Sequence, residues 1–329
     1  MSADKAALAE YPVEGEQDGV AGTPAEASRE ASRPLSATVS FAGDLLQLSK
    51  MRVNLLALVT VFAGFALGQR TAPGVVPGNL LSLQLLHVLL GSFILAAATS
   101  ILNQYLEIAQ DSLMERTASR PLAAGRFSPV VARFLGIVLS LLGLAYIFLL
   151  VNPLCAAVSA VTAGVYVFFY TPLKRVTSFS LLVGAFAGAL PPVIGLTAAT
   201  GELVPSGWSI FTIQFIWQIP HFLAIAWMYR EDYGRAGFPM LTVVDREGKV
   251  TAMQVVGWSL ALVPASLMPA AVFGFAAGFY FWVALGASLV FLAFAAGFAI
   301  NRTRERARSL VIVSIIYLPV IQITLVLGS

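Results

Sequence analysis

The stretch LLSLQLLHVLLGSFILAAATSILNQYLEIAQDSLMERTASR, residues 80–120, begins as an oily run and ends as a polar cluster. Its first part, 80–102, has about the length that a helix needs to cross the hydrocarbon core of a bilayer, roughly 20 residues. Asn103, Glu107 and Asp111 follow at spacings of four. If the helix continues past the membrane surface, each step of four drifts by only about 40°, so the three side chains line one face over roughly 12 Å. Two carboxylates and an amide so placed repel one another unless a cation sits among them. A donor set made only of oxygen suits Mg2+, which keeps several waters and binds jointly to substrate phosphates. Arg116 and Arg120, again four apart, would set two guanidinium forks beside it, as a diphosphate requires, and Pro121 would stop the helix. A solvated helix end, with Glu107 or Asp111 paired to Arg116, is the plainer account; a second acidic loop downstream favours the site.

The rest of the chain repeats the oily pattern. At 329 residues, 58% hydrophobic and 11% charged, with mean hydropathy +0.83, it carries less than half of the roughly one-quarter charged residues of a soluble domain. Apolar runs at 51–68, 80–102, 130–150, 153–170, 179–199, 207–228, 251–273, 276–299 and 309–327 predict an all-α membrane protein of nine transmembrane helices around a central cavity. Only Asn152-Pro153 divides the third run from the fourth, which implies a tight hairpin. Beyond residue 44, every Lys and Arg except Arg70 falls at helix ends on one side, the side that the positive-inside rule makes cytoplasmic. Both polar clusters and the N-terminus are then cytoplasmic, and the C-terminus is outside. Residues 1–44 hold eight acids against Lys5, Arg29 and Arg33, with no apolar run, and read as a disordered cytoplasmic tail preceding a membrane domain, 45–329. With no cleavable signal, and too many acids for a transit peptide, the chain points to a bacterial plasma (inner) membrane. Cys155 stands alone, which excludes a disulfide within the chain and a thiolate metal site.

The second polar cluster, Arg230-Glu231-Asp232-Tyr-Gly-Arg235, closes the sixth run. Both clusters sit at the cytoplasmic end of the second helix in a block of four, the pattern of a diverged repeat of helices 1–4 and 5–8; alternation of loops alone would also produce it. Neighbours on a helix point about 100° apart, so Glu231 and Asp232 do not share one ion easily, and Asp232 is the better ligand. Lys174 and Arg175, in Tyr170-Thr-Pro-Leu-Lys-Arg, are explained by topology alone and equally suit a phosphate. Within Trp217-Gln218-Ile-Pro-His221, Pro220 frees a backbone carbonyl, and His221 lies roughly 12 Å along the helix from the loop. A lone membrane histidine is commonly a hydrogen-bonded packing residue, yet at this depth an imidazole would also serve a porphyrin or a proton transfer. His87, toward the outer face, is read as packing. Gly184, Gly188, Gly195 and Pro191-Pro192 suit a cavity wall.

Taken together, Asn103-Gln-Tyr-Leu-Glu107 through Asp111, Met114-Glu-Arg116-Thr-Ala-Ser-Arg120-Pro-Leu, Tyr170-Thr-Pro-Leu-Lys-Arg, Gly188-Ala-Leu-Pro-Pro, Trp217-Gln-Ile-Pro-His-Phe and Arg230-Glu-Asp-Tyr-Gly-Arg-Ala-Gly resemble the protohaem farnesyltransferase (haem O synthase) branch of the UbiA-type intramembrane prenyltransferases. The resemblance runs from about residue 48 to the C-terminus. Glu107 stands where the superfamily usually has Asp, and Glu231-Asp232 where it has spaced aspartates; both departures resemble the haem branch. The resemblance implies transfer of a farnesyl group from farnesyl diphosphate to a vinyl group of haem B, with addition of water, giving haem O and diphosphate for terminal oxidases. It implies Mg2+ as cofactor on Asn103, Glu107, Asp111, Glu231 and Asp232, with haem B as substrate and not as a resident group. Arg116, Arg120, Lys174, Arg175 and Arg235 would bind diphosphate, His221 would join the catalytic set, and Tyr170, Trp217, Gln218 and His221 would line the acceptor pocket. The implied partners are both substrates, the lipid bilayer, and haem A synthase or oxidase assembly proteins; nothing points to nucleic acid. A quinone- or chlorophyll-type aromatic prenyltransferase is the nearest alternative. A transporter is remote, since its charged groups should sit near the midplane.

Overall fold

The computed structural model describes residues 41–71, 82–272 and 278–328, and among them all regular structure is helical. Residues 1–40 of the expected tail lie outside the described residues. The other four, 41–44, are no tail: they open helix α1 (Phe41–Leu48), and Asp44, 5% exposed, is held by Arg126 at 3.0 and 3.2 Å.

There follow α2 (Met51–Thr71), α3 (Leu83–Leu106), α4 (Ile108–Leu113), α5 (Pro129–Leu150) and α6 (Pro153–Gly164), which runs on through a π-helical stretch, Val165–Tyr170, and a last turn, Thr171–Leu173. Next come α7 (Ser180–Ala189), α8 (Pro191–Thr200), α9 (Pro205–Met228), the short α10 (Arg230–Arg235) and α11 (Leu241–Val244), then α12 (Lys249–Val272), α13 (Phe279–Ile300) and α14 (Arg304–Gly328). Nine spans among the described residues are long and apolar enough to cross a bilayer, α7 and α8 together making one of them. The chain is a multi-pass membrane protein.

Local chemistry explains the boundaries. At the expected hairpin Asn152 caps α6, its Oδ1 accepting from Cys155 N at 2.7 Å, and Pro153 takes the first helical position, where its missing N–H costs nothing. Pro191-Pro192 splits the fifth span at Leu190, whereas Pro220 lies within α9 without ending it. α14 starts at Arg304, five residues before the apolar run, because its first arginines remain at the aqueous end.

Two packed groups build the body. α9, α12, α13 and α14 bury Leu223, Val255, Leu262, Phe291, Leu310 and Ile321 between them, and α2, α3, α6 and α8 meet around Phe65, Val88, Cys155 and Ile194. α2 and α8 touch backbone to backbone. A Cβ on Gly64 would lie 1.8 Å from Pro192 O, and one on Gly195 would lie 1.8 Å from Val61 O. Small residues at such crossings do the work that the hydrophobic effect does in water, because lipid tails compete equally for apolar side chains.

Candidate functional site

A cavity of about 510 Å³ opens between α2, α3, α6, α7, α8 and α9. Its deep walls are apolar, with Leu58, Val61, Leu95, Ala163 and Ile194. Its mouth holds the first polar cluster. Asn103, Glu107 and Asp111 are 1, 3 and 1% exposed, and all three line it.

They do so by a break in the helix, where unbroken continuation was expected. α3 ends at Leu106, Glu107 adopts φ −106° and ψ 13°, and α4 restarts with Asp111 N donating to Glu107 O at 2.7 Å. Arg175 Nη2 donates to Leu106 O, so that arginine caps a helix end and does not line the cavity. Residues 114–128 form turns, and the expected helical pair Arg116 and Arg120 therefore separates. Arg120 Nη1 grips both Asp111 oxygens at 2.8 and 2.7 Å. Arg116 lies 4.8 Å from the Tyr229 ring centroid and donates to Tyr233 Oη at 3.2 Å.

Lys174 pairs with Glu107 and lies over the Tyr170 ring at 4.9 Å and the Phe238 ring at 5.6 Å. The π-helical register brings Tyr166 and Tyr170 to the cavity with ring centroids 5.4 Å apart. Thr171 Oγ1, which donates to Tyr166 O at 2.8 Å, accepts from Asn103 Nδ2 at 3.2 Å, tying that register to the cluster.

Lys50 completes the mouth. It sits between α1 and α2 at φ 47° and donates to Asn103 Oδ1 at 2.7 Å. Desolvation pulls its pKa down to about 7; Arg120 and Lys174 push the same way, and Glu107 and Asp111 oppose them. The sequence marked Lys50 only as a topology determinant, and Tyr166, Gln214, Tyr233 and Phe238 not at all, yet all line the cavity. Tyr166 carried a signal, being spaced by four from Tyr170 and by eight from Lys174.

The second loop contributes otherwise than expected. Tyr233 and Phe238 roof the cavity and pack on Met114, while Glu231, Asp232 and Arg235 line a neighbouring groove with Arg230, Arg302 and Arg304. Asp232 is buried against Arg235, and Glu231 is exposed. Adjacent positions on one short helix cannot both face inward, and the aromatic face won. Arg116 lines both cavity and groove, so the two acidic clusters are neighbours across it.

The acceptor-pocket expectation divides by helical face. Gln214, Gln218 and Phe222 line the cavity, whereas Trp217 and His221 point at α14. Their rings stack at 5.0 Å; Trp217 Nε1 donates to Ser314 O at 2.9 Å, and His221 Nδ1 meets Ser314 Oγ at 2.6 Å. One residue of offset rotates a side chain by about 100°, which carries His221 out of the site. His87, as expected, packs, 2.7 Å from Tyr146 Oη.

The donors at the mouth suit a small hard cation. All are oxygens, and Glu107 Oε1, though beside the Lys174 ammonium, receives no aligned hydrogen bond. Among the described residues no three acidic, His or Cys side chains gather closely enough to hold a metal alone. A cation seated on one or two carboxylates there would have to fill its shell with water and ligand oxygens, as Mg2+ does elsewhere.

The family model that matches this sequence is the UbiA prenyltransferase family, over residues 57–317. The chain belongs to that family. Curated relatives include the protoheme IX farnesyltransferases of Solibacter usitatus, 43% identical over 84% of this chain and 96% of that protein, and of Salinibacter ruber, 41% identical over 84% and 95%. Among solved structures, a digeranylgeranylglyceryl phosphate synthase aligns over 87% of this chain and 97% of its own, with TM-score 0.70 and 16% identity. A UbiA homologue from Archaeoglobus fulgidus bound to GPP and Mg2+ aligns over 86% and 99%, with TM-score 0.59 and 18% identity. These distant structures share the family fold.

Proposed function

We infer that this chain transfers a farnesyl group from farnesyl diphosphate to a vinyl group of haem B, with addition of water, releasing diphosphate and haem O. The observation that carries the reading is a set of three buried acceptors, Asn103, Glu107 and Asp111, each paired with a partly buried cation, Lys50, Lys174 and Arg120, at the mouth of an apolar intramembrane cavity. The named relatives, alike over more than four-fifths of this chain, supply the identity of the donor and acceptor.

Allylic diphosphates ionise when negative charge building on the leaving group is neutralised. Lys50, Arg120 and Lys174 are placed for this, with Arg116 at the outer edge. Asn103, Glu107 and Asp111 would hold Mg2+, which when bound adds a further positive charge against the phosphates. Asp232 stands in the neighbouring groove, paired with Arg235. Tyr166, Tyr170 and Phe238 line the cavity beside these pairs, where aromatic rings would favour a farnesyl carbon as it becomes positive, and the apolar walls keep bulk water from it. The mouth faces the cytoplasm of a bacterial inner membrane, in keeping with the one-sided arginines.

Purified protein with haem B, farnesyl diphosphate and Mg2+ tests this, with products read by mass. The expected product is haem heavier by farnesyl plus water, lost on chelation. Farnesylation of a hydroxybenzoate with haem untouched would overturn the reading in favour of the aromatic branch.

A further inference from the structure

Water has to meet a cation inside an apolar cavity, and none of the residues above holds it. Gln218 has the geometry to do so. It is 4% exposed, and its Nε2 is committed twice, to Gln214 O at 2.9 Å and Ala185 O at 3.3 Å. Both partners are carbonyl acceptors, so the amide cannot be reversed: nitrogen must face them and Oε1 must face away. Oε1 lies over the bare Cα of Gly188, where a Cβ would come within 2.1 Å of it, and it accepts no hydrogen bond from any described residue. Gln218 lines the cavity, and an acceptor in a cavity wall that the fold leaves without a donor draws one from whatever fills the cavity.

The surroundings fix its place. Gln214 Nε2 donates to Gly188 O at 2.9 Å, and its own oxygen accepts from Gln322 Nε2 of α14 at 3.3 Å, so the side chain next along α9 ties down the glycine that Gln218 Oε1 rests on. The Tyr170 ring lies against Gly184, one helical turn from Gly188. Measured along α7, Gln218 Oε1 and the Tyr170 ring are therefore about one turn, roughly 6 Å, apart.

We propose that Gln218 Oε1 holds the water molecule that captures the second cation of the reaction. This rests on the haem-farnesylating reading. The terminal vinyl carbon bonds to C1 of the farnesyl group as the C1–O bond to diphosphate breaks, which leaves a cation on the carbon next to the porphyrin ring. The water, one O–H donated to Gln218 Oε1, turns a lone pair to that carbon and forms the C–O bond. Its surplus proton goes to the diphosphate released in the same turnover. Without an oriented water, the cation loses a proton from the neighbouring carbon and gives an alkene lighter by one water.

The test is the partition of farnesylated haem between hydrated and alkene products, made by purified full-length protein in heavy-oxygen water and read by mass. Gln218→Leu should lower the hydrated-to-alkene ratio about tenfold, the worth of one hydrogen bond. Gly188→Ala, which places a methyl where Oε1 lies, should lower it too and carries the test if Gln218→Leu fails to fold. A merely structural Gln218 would slow both products together. An unchanged ratio in Gln218→Leu, or in Gly188→Ala where only that variant folds, overturns the proposal even if total turnover falls. If the wild-type protein leaves haem unmodified, the functional reading fails first and the proposal falls with it.

Discussion

Asp111→Ala should cost both stability and activity, and Arg120→Met added to it should return only the first. Asp111 is 1% exposed and holds Arg120 through both oxygens, at 2.8 and 2.7 Å; the arginine side chain is 24% exposed. Truncating one member of a buried ion pair costs about 3–5 kcal/mol, because the other charge is left uncompensated. Arg120 keeps some solvent at the cavity mouth, so the cost here should fall at the low end, about 3 kcal/mol. Replacing both members by apolar groups is close to neutral, and the double variant should recover most of that loss. Denaturant titration in mixed micelles reads the stability, and haem O formation by mass reads the activity. The carboxylate is also expected to bear the metal and, through it, the diphosphate, so both variants should lose about a hundredfold or more in turnover, roughly 2.7 kcal/mol of transition-state stabilisation. Recovery of activity together with stability in the double variant would refute the reasoning and reduce Asp111 to a brace for its arginine.

Lys50→Met should weaken binding of farnesyl diphosphate about tenfold or more, as loss of one charged hydrogen bond would, read as a shift in the inhibition constant of a non-ionising diphosphate analogue. An unshifted constant would return Lys50 to a purely topological part. Gly195→Ala should destabilise by about 3 kcal/mol, since the new methyl meets the Val61 carbonyl, a backbone atom that cannot swing aside; a melting temperature equal to wild type would contradict the contact. His221→Ala should cost about 1 kcal/mol of stability through the lost Ser314 bond and Trp217 stack and change turnover by less than about threefold. A hundredfold loss of turnover in a stable His221→Ala protein would place the imidazole in the reaction after all.

The spans were legible in the sequence because crossing a bilayer imposes one demand, a charge-free length, that a one-dimensional pattern can express. Where a boundary depends on a partner far along the chain, the pattern misleads. Asp44 looks like the last acid of a solvated tail, and only its bond to Arg126, 82 positions away, makes it part of the folded body. Arg304, Arg306 and Arg308 look like a loop, yet a helix needs no apolar residue where it emerges into water, and α14 takes them as its opening turns. The π-helical stretch before Lys174 has no mark that separates it from an ordinary helix; its register is held by the Asn103–Thr171–Tyr166 chain, which exists only once α3 and α6 have packed.

Which side chains share a face is a local property of a helix, but which face meets the cavity is decided by the neighbours. Periodicity groups Gln214, Gln218 and Phe222 on one side of α9 and Trp217 and His221 on another, and does not rank them. Ranking by chemical reactivity favours the histidine, yet α14 offers Ser314 as a hydrogen-bond partner and covers that face, leaving the amides to the cavity. The same choice recurs at α10, where Tyr233 faces inward and the acids face the groove. The outcome at α9 follows from the cost of an unpaired polar group in a membrane interior, where a side chain with a fitting partner on a packed helix is drawn to it; at α10, outside the spans, the acids turn to the open groove and the aromatic ring to the cavity. The groups left facing the cavity are then those whose remaining donors and acceptors the fold does not use, and these are the groups available to a substrate.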